Sequence, residues 1–163
     1  MTILYTLSII LFGLAIRIGS LFPGKARLWN NGRKGLLRKI GEEIKDLPEE
    51  RFSQVIWFHC ASLGEFEQGR PLMERLRERY PQCVIILTFF SPSGYEIRKQ
   101  TPVADHVWYL PLDTPWNMNR FIRLVRPSMV FFVKYEFWYN ALKELRRRDI
   151  PVFLVSAAFR PDQ

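Results

Sequence analysis

Cysteine and histidine are both scarce, two of each in 163 residues. Cys60 and Cys83 lie inside apolar runs with no CxxC pair. That excludes a disulfide-stapled secreted scaffold and reads as two reduced, buried thiols. His59 and His106 are too far apart for a local metal motif, and neither HxxxH nor HExxH occurs, so His59 reads as a packed, hydrogen-bonded residue. There is no GxGxxG and no GK[ST], which removes the common nucleotide-phosphate fingerprints. Ser62 lacks a GxSxG setting, which argues against a hydrolase nucleophile. No Lys or Arg precedes the first apolar run, and its flank SLFPGKAR offers no small-residue cleavage site, so a cleaved signal peptide fits poorly.

What is present is a core. The chain is 48% hydrophobic, enough for one globular domain and against disorder. Its net charge of +8 draws it toward anionic partners: nucleic acid, anionic lipid or a phosphorylated substrate. Position narrows the choice. Lys25, Arg27, Arg33, Lys34, Arg38, Lys39 and Lys45 follow directly on residues 1–22, which carry one charge, Arg17, in an otherwise apolar run. A basic cluster beside an apolar segment favours a membrane surface over nucleic acid, for which no recognised motif exists. With Arg17 snorkelling, the run reaches the length of a membrane anchor, and the positive-inside tendency places the remainder in the cytoplasm.

The pattern predicts three regions: an anchor over 1–22, a basic juxtamembrane segment with a helix at 36–44 over 23–52, and a domain over 53–163. In that domain short apolar runs at 54–60, 83–90, 106–112, 128–135 and 151–159 alternate with helical stretches at 65–79, 91–100, 115–127 and 137–148. Near-continuous apolar strands separated by helices predict an α/β, Rossmann-like doubly wound parallel sheet. The chain stops in FRPDQ with no helix to cover the fifth strand, so it reads as part of something longer.

Ligands of open α/β sheets gather at the carboxyl ends of the strands. The first end runs through Ser62 and Gly64 to Glu65, in the first turn of a helix. Two readings fit Glu65: a complement to the helix dipole, or a general base. The fourth end is Lys134-Tyr135-Glu136-Phe137-Trp138. Glu136 reads as a helix-cap carboxylate or as a partly desolvated group facing substrate, and Lys134 as its ion-pair partner or a phosphate ligand. Asp113-Thr114-Pro115 reads as a helix start, and Ser91 or Ser93 as a helix cap with Pro92 in the first turn.

Five segments in this order resemble the 3-deoxy-D-manno-octulosonic acid (Kdo) transferases: KARLWNNGRKG (25–35), HCASLGEFEQGRPL (59–72), TFFSPSGYE (88–96), YLPLDTPWNMNRF (109–121) and KYEFWYN (134–140). The resemblance implies the N-terminal, acceptor-binding domain of a GT-B glycosyltransferase, with the donor CMP-Kdo bound by a C-terminal domain outside this chain. It implies inverting transfer to a lipid A precursor with no cofactor and no required metal, at the inner membrane, with the catalytic domain on the cytoplasmic side. Glu65 then falls on the family's base. Glu136 falls on a second site carboxylate, with Trp138 as its partner. Ser62, Gly64, Ser91, Ser93, Lys134 and Trp138 become candidate acceptor contacts, and Lys25, Arg27, Arg33 and Lys34 candidate contacts to lipid phosphates. Alone, such a half would not catalyse transfer. Two alternatives share the pattern: a GT-B transferase with another acceptor, such as an undecaprenyl-linked sugar, and a membrane-tethered binding module without activity.

Overall fold

The computed structural model describes residues 2–45 and 47–156. Its helices and strands follow in the order α1 (Thr2–Gly19), α2 (Lys25–Arg33), α3 (Leu36–Ile44), β1 (Val55–Cys60), α4 (Leu63–Arg79), β2 (Val84–Phe89), α5 (Pro92–Arg98), β3 (His106–Tyr109), α6 (Pro115–Val125), β4 (Met129–Val133), α7 (Tyr139–Arg147) and β5 (Val152–Val155). A 3-10 turn over Glu49–Gln54 leads into β1. All strand pairs are parallel, in the order β3-β2-β1-β4-β5. The expected strand at 151–159 ends at Val155, and residues 157–163 lie outside the described residues.

The period-two alternation of the central strands explains the two layers of helices. Val55 and Trp57 of β1 face a core with Ile86, Trp108, Val130 and Phe132, closed by Leu36, Ile40 and Ile44 of α3, Met118 and Phe121 of α6, and Leu145 of α7. Ile56, Phe58 and Cys60 point the other way, into a core with Ile85, Leu87, Phe89 and Val133, closed by Phe66 and Met73 of α4. β1 and β2 are buried at every position. A sheet covered on both faces needs apolar side chains on both, which is why these strands lack polar alternation.

α2 was not anticipated. KARLWNNGR has a single large apolar residue facing inward, Trp29, so its helical periodicity is weak. α1 is long and apolar enough, by length and composition, to cross a membrane.

Candidate functional site

The strand order reverses between β1 and β4: the chain moves outward through β2 and β3, then returns to β4 on the other side of β1. In open α/β sheets ligands gather beyond the strand ends at such a reversal, here the loops that follow β1 and β4. After β1, Ser62 takes an extended backbone conformation (φ −142°, ψ 178°) and caps α4. Glu65 folds back on it. Its Oε2 accepts from the Ser62 N–H at 2.6 Å and the Ser62 hydroxyl at 3.0 Å. Between them Gly64 is exposed, and a Cβ there would meet nothing within 4 Å. The neighbouring loop is tied in by Ser91 N–H, which donates to the Ala61 carbonyl at 2.7 Å. Ser91 caps α5 by accepting from the Ser93 N–H, and the two hydroxyls lie 2.9 Å apart. Gly94 then packs so closely that a Cβ would fall 3.1 Å from the Ser62 carbonyl carbon and collide with the Phe89 ring. Ser62, Ser91 and Ser93 thus share one ledge.

After β4, Lys134 sits in the left-handed region (φ 64°). For a side chain with a Cβ this costs about 1–2 kcal/mol. It turns the backbone into the loop that carries Glu136 and Trp138. The Trp138 Nε1–H donates to His59 Nε2 at 2.9 Å. His59 Nδ1 must therefore carry the ring hydrogen, which it gives to Thr88 Oγ1 at 2.9 Å; this tautomer is assigned from the network. Thr88 Oγ1 also accepts from Trp57 Nε1 at 2.8 Å and donates to the Phe58 carbonyl at 3.3 Å. The buried histidine is thus a fully used link between the strand core and the loop. Glu136 Oε2 lies 3.8 Å from His59 Nε2, beyond a hydrogen bond. Burial pushes the Cys60 thiol up, and the carboxylates of Glu65 and Glu136 add to the push. Glu65 stands in the first turn of α4, after β1, and Glu136 in the loop after β4. Trp138 and Glu136 both approach His59 Nε2, Trp138 as its hydrogen-bond donor.

A second constellation occupies the edge beyond β3. Asp113 is fully buried. Its Oδ1 accepts from the Ala141 N–H at 2.9 Å, and its Oδ2 from the Asn140 N–H at 3.0 Å and the Tyr5 hydroxyl at 2.7 Å. The Asp113-Thr114-Pro115 segment does start a helix, α6. Thr114 caps α6, and Asp113 caps α7 instead. Arg33 is also not where it was expected. Its Nε and Nη2 donate to the carbonyls of Leu110 and Phe90, both at 2.9 Å, and Nη1 to that of Trp29 at 3.2 Å. The guanidinium lies 3.7 Å from the Trp29 ring centroid, and burial pulls its pKa down to about 9. It clips α2 to the ends of β2 and β3. Lys25, Arg27 and Lys34 are exposed. A cleft of about 330 Å³ between α1, α2 and the β3–α6 connection is lined by Leu14, Arg17, Trp29, Leu112 and Trp116, among others, and includes neither Glu65 nor Glu136. Among the described residues, no group of three or more His, Cys, Asp and Glu is placed to hold a metal ion.

The model of the 3-deoxy-D-manno-octulosonic acid transferase family matches residues 33–163. The chain belongs to that family. Its relatives include the 3-deoxy-D-manno-octulosonic acid transferase of Haemophilus influenzae, 39% identical over 106 residues, covering 64% of this chain and 25% of the relative. The protein of the same name in Aquifex aeolicus is 33% identical over 104 residues (63% and 28%), and that of Chlamydia pneumoniae 28% over 140 residues (85% and 32%). The chain thus spans about a quarter to a third of the length of these curated relatives. Of the residues singled out from the sequence, those in the first, second and fourth family motifs of the domain converge on the edge above β1, β2 and β4. The third motif, with Asp113, falls on the α1 edge. His59 was read as packed, and its part in holding Trp138 was missed. Asp113, Tyr5 and Asn140 were missed because their partners are 27 and 108 residues apart in sequence, which no local spacing reveals.

Proposed function

We propose that this chain is the acceptor-binding half of an inverting GT-B glycosyltransferase that transfers Kdo from CMP-Kdo to a lipid A precursor in lipopolysaccharide synthesis. The observation that supports it is the placing of Glu65 and Glu136 just after β1 and β4, the neighbouring strands at which the strand order reverses, with open space over Gly64. A sugar hydroxyl is a weak nucleophile at neutral pH and needs an aligned base. The Ser62 N–H and hydroxyl hold Glu65 through Oε2, leaving Oε1 to take up the proton. Gly64, lacking a side chain, lets the acceptor approach the first turn of α4. Inversion requires base and leaving group on opposite faces of the reacting carbon; the donor half across the cleft supplies the cytidine phosphate. Glu136 orients the acceptor from the other loop, with Trp138 held by His59, and Ser62, Ser91, Ser93 and Lys134 contribute polar contacts. The chemistry asks for no cofactor beyond the donor itself. α1 keeps the enzyme at the cytoplasmic face of the inner membrane, and Lys25, Arg27 and Lys34 meet anionic headgroups or acceptor phosphates.

The test is Kdo transfer from CMP-Kdo to lipid A precursor by the natural full-length protein, wild type against Glu65→Gln. A loss of roughly a hundredfold or more at an unchanged urea midpoint is expected. Undiminished transfer removes Glu65 as the base and moves the role to Glu136. No transfer by the folded wild type overturns the assigned reaction.

A further inference from the structure

α1 meets the domain along its whole length. In its first turns Thr2 Oγ1 lies 3.0 Å from the Tyr139 hydroxyl, Tyr5 donates to Asp113 at 2.7 Å, and Asn140 Nδ2 donates to Thr6 Oγ1 at 3.3 Å. Midway, Gly13 runs so close to Leu112 that a Cβ would fall 2.8 Å from its methyl, and the Phe12 ring stacks 6.0 Å from Phe90. Just past its end, Asn30 Nδ2 donates to Ser20 Oγ at 2.9 Å. Residues 2, 5, 6, 9, 10, 13, 16 and 19 are the partly covered ones, a helical stripe. The opposite stripe is apolar and open: Ile3 82% exposed, Leu7 50%, Leu11 56%, Ile18 67%, continuing into Leu21 at 78% and Phe22 at 71%. Exposed Arg17, Lys25 and Arg27 lie in the same stretch.

A spanning helix is sheathed by lipid for about 30 Å, and its polar side chains must find partners inside that layer. For α1 to span, Tyr5 and Thr6 would have to leave the water-soluble domain, uncapping a buried carboxylate as they go. Lying flat, the helix keeps every one of those contacts and still buries its outer stripe. We infer that α1 lies in the plane of the membrane, immersed in one leaflet of an anionic bilayer and clamped to the domain through Tyr5 and Asp113. The first turns of its inner face are polar where the domain covers them, which accounts for Thr2, Tyr5 and Thr6 in an otherwise lipid-seeking helix; Ile9, Ile10 and Ile16 continue that face. Asp113 also caps α7, whose entry loop carries Glu136 and Trp138. The bilayer plane is therefore set rigidly against the edge where an acceptor lipid would arrive. This deepens the membrane role proposed above and rests on it.

Depth measurement tests it. Single cysteines at Leu4, Leu7, Leu11, Leu14 and Ile18 of the natural full-length protein are spin-labelled in vesicles of phosphatidylglycerol and phosphatidylcholine, Cys60 and Cys83 being buried. A flat helix gives depths that agree within about 5 Å, all in the outer 5–10 Å of the acyl region. A spanning helix changes depth by about 1.5 Å per residue, some 20 Å from position 4 to 18, and that gradient overturns the inference, as does the absence of lipid contact at every position. A tag before Met1 on otherwise unaltered protein gives an independent reading. In sealed vesicles it is protease-accessible from the same side as the domain if α1 is flat, and from the opposite side if it spans. Transfer is assayed on the same samples. Active protein with graded depths loses only the flat helix, and inactive protein with uniform depths loses only the assigned reaction.

Discussion

Glu65 and Asp113 both lie beyond the carboxyl ends of strands and both accept hydrogen bonds at a helix N-terminus, yet they sit in opposite surroundings. Glu65 serves its own helix, reaching back to Ser62, with an exposed glycine beside it and nothing packed over that glycine. Asp113 serves α7, 27 residues further along the chain, and is sealed beneath α1. Burial pushes its carboxyl up from the usual range, against the opposing pull of Tyr5, Asn140 and Ala141. A capping carboxylate with solvent and space beside it keeps capacity for a substrate. One enclosed by donors has spent that capacity on the fold.

The largest expected effect is a crossed pair of substitutions. Asp113→Ala strands two backbone N–H groups and a tyrosine hydroxyl, and should cost about 3 kcal/mol in urea-induced unfolding. Glu65→Ala removes only a local cap, about 1 kcal/mol of stability, while transfer falls a hundredfold or more. Equal stability losses at the two positions would erase the distinction between a working edge and a clamping edge. Next is Gly64→Ala. Glycine is unfavourable in a helix and no neighbour demands it here, so stability should hold or rise by up to about 1 kcal/mol. If the open space is the acceptor's approach, transfer falls about tenfold, through KM before kcat. A more stable variant with intact transfer would leave the glycine without a function.

The contrast also marks how much could be read from the sequence. The strands were legible because β1 and β2 are buried on both faces and so must be continuously apolar. α3 was legible from Leu36, Ile40 and Ile44 at helical spacing. The Glu65 cap on Ser62 was legible because the two are three residues apart. The Asp113 clamp and the Arg33 clip were not. Each joins elements distant in sequence through side chains whose types have commoner local roles: an Asp before Thr-Pro looks like a helix start, and an Arg in a basic cluster looks like a solvated charge. Trp138 falls between the two cases. Its motif was visible, but its hydrogen bond runs to His59, 79 residues earlier.

Tyr5→Phe sharpens the clamp side alone. It deletes one hydroxyl from a carboxylate that retains two backbone donors, so a loss of about 1 kcal/mol is expected. On vesicles the variant should stay bound, since the outer stripe is untouched, while transfer to a lipid acceptor weakens more than transfer to a soluble, short-chain one. An equal loss on both acceptors would mean that Tyr5 only stabilises the fold.

The smallest effect compares the two ends of α7. Glu144, near its C-terminal end, accepts from Arg147 at 2.6 and 2.9 Å and from Arg148 at 2.6 Å. Those guanidiniums, Arg147 foremost, hold its carboxyl down at about 2, against a usual value near 4.5. A depressed acid stabilises the fold above its unfolded pKa, and that contribution is lost as pH falls from about 4.5 through 2. Asp113, at the other end, is raised. Its ionisation costs stability, so its contribution is most favourable at low pH and is lost as pH rises through its folded pKa. Glu144→Gln should therefore lower the urea midpoint at pH 6 and converge on wild type near pH 2. Arg147 is largely exposed, so the difference at pH 6 should be on the order of 0.5–1 kcal/mol. A gap that stays constant between pH 6 and pH 2 would assign Glu144's effect to packing, and leave Asp113 as the carboxylate of α7 whose charge matters to the fold.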